Sequence, residues 1–579
     1  AHGLEVVAGE RSVVQPQGRE QGVVLAQVPV RCQMEHGHGR ELCQHRISGR
    51  LGSDEYARAW IAPCNVGHLV RPPGTPQELE QATFLVVSVQ SPGIVVLTIC
   101  RDADLLSCGR VGPISPASPL PNITDSVTID ASTQPGANCS SWPAQPLIEL
   151  NGAGAGPTTY GLLLLGGSST VRGLIINRFS SAGIFLGTAN NVIQCNYIGV
   201  DATGTSAAGN FFGVFVNGTT GNLIGGTTPG QGNVIGGNLA ESIRLAAADG
   251  NIVQGNHLGV DPAGTAVVGG TNNHMLITGS NNTIGSTDPA GRNVIGGATF
   301  DGLYIAFNSH GNVIQGNDIG VDATGTVPLG NARHGIYLSE SASNNVIGGV
   351  APGAFNRIAY NGFGAGVAID VPEPGGSITG NTVRGNSIYQ NGGLGIDLAS
   401  DGVGAANDPG DPDAGPNNLQ NFPALSQALI GSGGNLVVDY SLDSSPGTST
   451  YPIAVDFYAA DDAVSAEGQR YLGSATANGP GALAADLGGA AGLSIVNGDA
   501  IVAVATDANG NSSEFSGAAI VGVPGVQTGP LFTVTNSGDG SGPCAPGDCS
   551  LRAAIEAANS HPNGTVPDEI HFAIPGAGV

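Results

Sequence analysis

A block of about 20 residues recurs three times in the middle of the chain, at intervals of about 60 residues. The copies are "NNVIQCNYIGVDATGTSAAGN" from Asn190, "GNIVQGNHLGVDPAGTAVVGG" from Gly250 and "GNVIQGNDIGVDATGTVPLGN" from Gly311. A fixed period of this kind is typical of architectures in which one small structural unit is stacked on the next. The repeat therefore limits the fold more strongly than any other feature of the sequence.

Short apolar segments show that the structural unit is about half of that period. They are "GIFL" at Gly183, "GVFV" at Gly213, "SIRL" at Ser242, "HMLI" at His274, "GLYI" at Gly302, "GIYL" at Gly335, "GVAI" at Gly366 and "GIDL" at Gly395. The second and fourth residues of each segment are apolar, as Ile184 and Leu186 are. Because side chains alternate along a strand, this pair is predicted to face inward and the third residue outward.

Strands this short bury their apolar face only if successive copies stack, each pairing with the copy above and below. The sequence thus predicts an all-β parallel β-helix. Counting back through "GLLLL", "LIEL" and "SVTID" gives about eleven coils, or roughly 50 Å of stack. Asn precedes most of the "VIGG" and "VIQG" segments, and we expect it to form left-handed turns there.

Three further segments support a resemblance: "ISPASPLPNITDSVTIDASTQPG", the "NVIGGN" and "GVDATGT" repeats, and "NDPGDPDAGPNNLQNFPAL". Over residues 113 to 579 the chain resembles the secreted bacterial right-handed parallel β-helix proteins of the pectate-lyase-like superfamily. The resemblance implies the fold and an extracellular or cell-surface location. It does not decide function, because the superfamily includes surface and adhesion proteins as well as polysaccharide lyases, hydrolases and epimerases.

Composition predicts four regions. Residues 1–112 do not follow the repeat, and their role is open. Residues 113–421 form the β-helix. Residues 422–525 lose the period and read as an antiparallel β-sandwich similar to immunoglobulin-like modules, which usually act as spacers or binding modules. Residues 526–579 form a strand–helix–strand capping segment.

The last region contains a capping pattern at an unexpected position in the chain. "CSLRAAIEAAN" is typical of an amphipathic helix and "EIHFAI" of a strand. In the proteins that the chain resembles, this pattern covers the first coil, whereas here it follows the β-helix. We expect the segment to cap the β-helix of a neighbouring copy and so to form a filament. The residues expected at that contact are Cys549, Leu551, Ile555, Ile570, Phe572 and Ile574. The alternatives are a tandem array cut after Val579 and a tail that folds back.

Charge and cysteine content restrict the partners. All 19 basic residues are arginine and the net charge is −26, which argues against nucleic acid as a partner and favours divalent cations. Nine cysteines, with Cys544 and Cys549 spaced for a short disulfide loop, indicate an oxidising compartment. The uncharged stretch 82–100 is predicted to be two strands and a turn, with no membrane span.

Two residues are candidates for catalysis. Stacking places Asp301 and His334 on adjacent coils at the start of the outward strand, near enough for general acid–base chemistry if they face a groove. Polar residues on a solvated face are the plainer interpretation, and the sequence contains no complete catalytic motif of the superfamily.

Four aromatic residues are candidates for binding. Phe185, Phe215, Tyr304 and Tyr337 occupy outward positions and could stack on sugar rings of a glycan. The alternative is a ladder of rings that only covers neighbouring side chains.

Acidic loops are candidates for a metal. Asp408, Asp411 and Asp413 in "NDPGDPDAGPNN" could bind Ca²⁺, the only cofactor that we predict. A solvated acidic linker is the alternative. "DANGNSSE" from Asp507 is interpreted as a hairpin turn, and the aspartates of the "GVDATGT" loops as turn residues.

The leading hypothesis is a secreted structural or cell-surface protein that assembles head to tail into extracellular filaments. A polysaccharide-active enzyme and a glycan-binding adhesin, both using the outward face, are the alternatives.

Overall fold

The computed structural model describes residues 46–51, 55–60, 84–90, 94–100, 112–270, 272–372, 376–431, 433–522, 531–541, 544–545, 549–560 and 568–574. The chain forms two compact units, and the boundary between them lies between Gln77 and Glu78. In the first unit the described residues form an antiparallel hairpin of strands Arg46–Leu51 and Glu55–Trp60. Most of the predicted region 1–112 lies outside the described residues.

Three parallel sheets, named here face A, face B and face C, dominate the second unit and fit a right-handed parallel β-helix. The chain visits them in the order A, B, C on every coil, and each strand pairs with the strand one coil away.

Face A has nine strands: Leu162–Leu164, Ala182–Leu186, Phe212–Asn217, Ile243–Ala246, Met275–Ile277, Leu303–Ile305, Ile336–Leu338, Val367–Asp370 and Ile396–Ala399. Face B has nine in the same stack: Thr128–Asp130, Thr170–Arg172, Val192–Gln194, Leu223–Gly225, Ile252–Gln254, Thr283–Gly285, Val313–Gln315, Val346–Gly348 and Thr382–Arg384. Face C has Ile148–Asn151, Leu174–Asn177, Tyr197–Ile198, Val234–Ile235, His257–Leu258, Val294–Ile295, Asp318–Ile319, Arg357–Ala359 and Ser387–Tyr389.

The number of strands on each face bears on the predicted number of coils. Faces A and C have nine strands each among the described residues, and face B has nine in the stack beside the hairpin described below, so the predicted count of about eleven coils is not confirmed. The three segments at the start of the count, "SVTID", "LIEL" and "GLLLL", do not lie on three successive coils. They supply one strand each to faces B, C and A, and so make three sides of one turn.

The interior of the β-helix follows the predicted alternation. On face A, Ile184, Leu186, Ile336 and Leu338 have no solvent exposure, while Tyr337 between the last two is half-buried and faces outward. Inward columns of Ile, Leu and Val from all three faces form one continuous core. Its stability therefore comes from burial of apolar surface along the whole stack.

The repeated asparagines have a different role from the expected turn. At one corner, the backbone N–H and the Nδ2 of Asn222 both donate to Oδ1 of Asn251 on the next coil, at 3.0 and 2.9 Å. This ladder contains Asn191, Asn222, Asn251, Asn282, Asn312, Asn345, Asn381 and Asn417. A left-handed φ occurs instead at the preceding residue in some copies, such as Asn190 and Asn281. The asparagines satisfy buried backbone groups where the chain leaves one sheet for the next.

Face B continues beyond its first coil. The hairpin of strands Phe84–Gln90 and Ile94–Cys100 joins it through parallel pairing of Ile94–Cys100 with Thr128–Asp130. The two strands predicted within residues 82–100 are thereby confirmed, and the predicted turn between them lies outside the described residues. At the same end, Ile114 bridges to face C and Ile123 bridges to face A.

A seven-stranded sheet follows the β-helix. Its strands are Ala424–Ile430, Asn435–Leu442, Ile453–Ala460, Gly468–Ala477, Gly481–Gly489, Ala500–Thr506 and Ala519–Gly522. The first and last strands pair in parallel, so the sheet is mixed, where a purely antiparallel one was expected. The sheet folds over its own apolar core, which includes Leu436, Phe457 and Ala503. We call this part the sandwich.

The sandwich covers the last coil of the β-helix. Tyr458, Val502 and Val504 belong to the apolar core of the β-helix. Arg384, at the end of face B, makes a two-pronged ion pair with the fully buried Asp456, at 2.7 and 2.6 Å. The sandwich is therefore packed as a lid on the stack, where sequence reasoning had expected a spacer.

Two buried carboxylates complete this contact. A second asparagine ladder, between faces C and A, includes Asn331, Asn361 and Asn391. Glu467 ends this ladder by accepting the backbone N–H and the Nδ2 of Asn391, at 2.9 and 3.0 Å. Glu514 accepts the N–H groups of Leu398 and Ala405, both at 2.8 Å. Backbone groups of the last coil that would otherwise face water are thereby paired.

The C-terminal described residues form a small unit of their own, named here the cap unit. Strands Leu531–Val534 and Glu569–Phe572 pair in parallel, and helix Leu551–Ser560 connects them. Its core consists of Phe532, Val534, Cys544, Cys549, Ala553 and Ala554. Cys544 and Cys549 form a disulfide. Among the described residues, these two strands join none of the three faces.

Candidate functional site

The outward side of face A is the candidate site. One side chain per coil stands there in register, and the column reads Leu163, Phe185, Phe215, Arg244, Leu276, Tyr304, Tyr337, Ala368 and Asp397. Neighbours in the column are one coil apart, about 4.8 Å. The four predicted aromatic residues therefore fall into two pairs separated by Arg244 and Leu276.

The first pair belongs to a larger group of rings. Phe185 lies edge-on to Phe215 with the ring centres 5.2 Å apart, and Tyr160 extends the group at 5.2 Å from Phe185. Arg244 places its guanidinium over Phe212 and Phe215, at 5.5 and 5.7 Å. These contacts fit the interpretation that the rings cover one another, while leaving half-buried ring surface facing outward.

The second pair is stacked. The rings of Tyr304 and Tyr337 are stacked with their centres 5.2 Å apart, and the His334 ring is also stacked on Tyr337, at 5.2 Å. The Tyr337 hydroxyl donates to Asp370 at 2.5 Å. Burial and this hydrogen bond raise the pKa of Tyr337 well above its usual range. At neutral pH the stack therefore presents uncharged rings.

The catalytic candidates Asp301 and His334 do lie on adjacent coils, but they meet through the backbone. The Asp301 carboxylate accepts the N–H of His334 at 3.1 Å, and Arg333 approaches it to 3.6 Å. Only 1% of Asp301 is exposed, and burial raises the pKa of its carboxyl group. A general acid or base must reach the substrate, so catalysis by this pair stays a prediction.

The tautomer of His334 follows from its contacts. Its Nδ1 accepts the N–H of Ala365 at 2.9 Å, so the proton of the neutral ring is on Nε2. Burial, helped by Arg333, lowers the pKa of His334 to about 4. The ring is therefore neutral at pH 7 and can offer a hydrogen-bond donor, while its other nitrogen is occupied.

A shallow cavity of about 260 Å³ lies beside His334. Arg333, Phe363, Asp397 and Asp401 line it. These four residues were not predicted from the sequence, because they come from three coils and share no motif. The cavity combines donors from Arg333 and His334 with acceptors from the aspartates, next to the exposed Phe363 ring.

The acidic loop brings its three predicted ligands together. Asp408, Asp411 and Asp413 each offer a carboxylate oxygen, and these oxygens lie within 4.8 Å of one another. The loop lies between the last coil and the first strand of the sandwich. Oxygen ligands of this kind suit a hard divalent cation.

The other acidic loops are turns. Asp507 Oδ1 accepts the N–H groups of Asn509 and Asn511, at 3.0 and 2.9 Å, which closes the predicted hairpin turn. Glu514 of the same segment faces the last coil instead. In the "GVDATGT" loops, Asp322 Oδ1 accepts the N–H groups of Thr326 and Val327, both at 2.9 Å. Both interpretations as turns are confirmed.

The predicted assembly residues separate into two groups within the cap unit. Cys549 is buried, and Ile570 and Ile574 pack against the small core. Leu551, Ile555 and Phe572 are exposed, the first two at 44% and the third at 61%. The exposed group forms apolar surface available for contact with another part of the protein or another copy.

Comparison with known proteins gives little. No protein-family model matches the chain, and no curated protein matches it. Among solved structures, it is similar to full-length tailspike protein 2 of Escherichia coli O157:H7 bacteriophage CAB120, with 12% identity and a TM-score of 0.23. The match covers 70% of this chain and 62% of the tailspike, so the chain spans about three fifths of the tailspike's length. A TM-score this low supports no statement about function.

No helix among the described residues is long and apolar enough to cross a membrane. Within the described parts of the chain, the disulfides Cys139–Cys195 and Cys544–Cys549 fit a secreted protein.

Proposed function

We propose that the chain is an extracellular structural protein that assembles head to tail, with the cap unit of one copy added to the N-terminal end of the next β-helix. The observation that carries the proposal is the difference between the two ends. The sandwich already covers the C-terminal end of the stack. The two strands of the cap unit pair in parallel, as strands of successive coils do, but they are not part of the stack.

The cap unit has the chemistry that such a contact requires. Its exposed Leu531, Leu551, Ile555 and Phe572 would lose water on docking, and each fully buried side chain of this size contributes about 2 kcal/mol. Added strands would also gain backbone hydrogen bonds. Because donor and acceptor surfaces differ, the contact repeats along one direction and does not close on itself.

The receiving end has limited room. The hairpin of residues 84–100 already continues face B. On faces A and C, the first strands Leu162–Leu164 and Ile148–Asn151 are extended only by single bridges to Ile123 and Ile114 among the described residues. Because the two cap strands pair with each other, they would together extend one face, either A or C.

Paired substitutions test the assembly. Leu551→Asp with Ile555→Asp places two charges on exposed positions, so the chain should remain folded while assembly is lost. Val464→Asp, at a position 95% exposed in the sandwich, is the matched control. Sedimentation velocity at several concentrations should show oligomers for the natural chain and the control, and monomers for the double variant. Assembly that survives in the double variant and in a chain lacking residues 531–579 would reject the proposal.

Glycan binding on face A is a second candidate, favoured by the Tyr304–Tyr337–His334 stack beside the cavity. Aromatic faces bind the apolar side of sugar rings, and the cavity supplies donors and acceptors for hydroxyl groups. Tyr304→Ala with Tyr337→Ala should abolish retention on a panel of acidic and neutral glycans, while the corresponding Phe variants keep the rings and should bind. No retention by the natural chain would exclude this candidate for those glycans. Cleaved glycan that disappears in Asp301→Asn would instead support the enzyme alternative.

A further inference from the structure

The acidic loop of Asp408, Asp411 and Asp413 contains more than clustered charge. Oδ1 of Asp408 and Oδ1 of Asp413 are both shielded from solvent, and neither has a hydrogen-bond partner. A carboxylate oxygen that has lost water without gaining a partner is strongly unfavourable. Asp408 and Asp413 both belong to the group of carboxylates that each offer one oxygen within 4.8 Å of the others. A cation among them would supply the missing partner for each.

The third carboxylate is held in place for such a role. Oδ2 of Asp411 accepts from Nε2 of Gln420 and Oγ of Ser449, both at 2.6 Å, and its Oδ1 accepts the N–H of Asn421 at 3.1 Å. Asp411 is only 4% exposed. These donors fix the direction of the carboxylate before any ion arrives, which lowers the entropy lost on binding.

The charges of the three side chains also oppose one another. When ionised, three carboxylates whose oxygens lie within 4.8 Å of one another repel. A divalent cation reverses that repulsion.

We infer that Asp408, Asp411 and Asp413 bind one Ca²⁺ and that the ion fastens the sandwich to the β-helix. Two oxygens bound to one Ca²⁺ at about 2.4 Å each are at most about 4.8 Å apart, and the carboxylate oxygens of the three aspartates meet this limit. Mg²⁺ requires shorter distances of about 2.1 Å in a near-ideal octahedron and usually keeps several waters, so we expect Ca²⁺ to be preferred. This inference does not depend on the proposed function.

The contacts of the acidic loop explain why Ca²⁺ binding would stabilise the connection between the β-helix and the sandwich. The N–H of Gly410 donates to Asp443 at 3.1 Å, and its carbonyl accepts from Thr448 at 2.7 Å, both in the sandwich. An ion that holds the loop therefore also holds the segment through which the β-helix enters the sandwich. A ligand bound only by the folded state stabilises it in proportion to the logarithm of its concentration.

Calorimetric titration of the full chain, freed of metal with a chelator, tests the site. The natural chain should bind Ca²⁺ with one strong site, and its melting temperature should rise by a few degrees at saturation. Asp408→Asn with Asp413→Asn removes two charges with little change of shape, and should abolish both the heat and the shift. Asp125→Asn, an exposed aspartate near the other end of the β-helix, makes the same type of change and should leave both intact.

Three results would overturn the inference. They are no Ca²⁺ binding by the natural chain, equal binding by the double variant, and binding of Mg²⁺ in place of Ca²⁺. Because the melting curve without metal is recorded for every variant, a double variant that simply fails to fold is recognised. In that case Asp413→Asn alone replaces it, and the same loss of Ca²⁺ affinity is required.

Discussion

Replacement of Arg384 by Met should loosen the sandwich from the β-helix. Arg384 donates to both oxygens of Asp456, and Asp456 has no solvent exposure. Without the guanidinium, the Ser474 hydroxyl at 2.5 Å remains as a side-chain donor to the carboxylate. Breaking a buried ion pair from one side costs about 3–5 kcal/mol in free energy of unfolding. Since 24% of the Arg384 side chain is exposed, we expect the lower end, about 3 kcal/mol.

Hydrogen–deuterium exchange measured by mass spectrometry shows in which segments the Arg384→Met variant has lost stability. A loss of about 3 kcal/mol raises the open fraction about a hundredfold, so amides in Thr382–Arg384 and Ser387–Tyr389 should exchange much faster. The double variant Arg384→Met, Asp456→Leu leaves no buried charge and should recover most of the protection. Unchanged exchange in Arg384→Met, or equal damage in the single and double variants, would refute the idea that this pair holds the lid.

Three further predictions concern titration and packing. Burial raises the pKa of Glu467 to about 8 in the folded state. Between about pH 5 and 8 the folded state therefore still binds a proton that the unfolded state has already released, so the free energy of unfolding should fall by a few kcal/mol as pH rises through this range. Urea titrations should show a flatter profile for Glu467→Gln, and an equal slope in both proteins would contradict this. His274 is buried with its pKa lowered to about 4, so stability should decrease as pH falls from about 6.5 to 4, by up to about 3 kcal/mol, and His274→Asn should remove that decrease. Ile314→Ala, at a position with no exposure, should cost about 2–5 kcal/mol, whereas Val464→Ala at the surface should change the unfolding midpoint little.

Much of the β-helix could be predicted because its information is local. The inward pair and outward third residue of "GIYL" are set by strand alternation within four residues, and the same rule holds on every coil of face A. The predicted coil number was not confirmed because local patterns do not tell which of three faces a short strand occupies. "SVTID" and "LIEL" have the same alternation as a face A strand, yet they belong to faces B and C.

The contacts that decide the ends of the stack could not be predicted in this way. Arg384 and Asp456 are 72 residues apart, and Asn391 and Glu467 are 76 apart, with no local pattern at either partner. The role of the asparagines was missed for a related reason. A turn preference belongs to one residue, whereas the ladder from Asn222 to Asn251 exists only when two coils are stacked.

The candidate site was predicted in part. Outward positions of Tyr304 and Tyr337 follow from alternation, but the cavity beside them joins Arg333, Phe363 and Asp397 from three coils. The acidic loop was recognisable because its three aspartates lie within six residues of sequence. The donors that orient Asp411, from Gln420 and Ser449, were not recognisable.

Electron microscopy of the intact chain at several concentrations tests the proposed assembly most directly. We predict fibres with a regular axial repeat, and isolated particles for the chain that lacks residues 531–579. Isolated rods of the intact chain at every concentration, in the presence and absence of Ca²⁺, would contradict head-to-tail assembly.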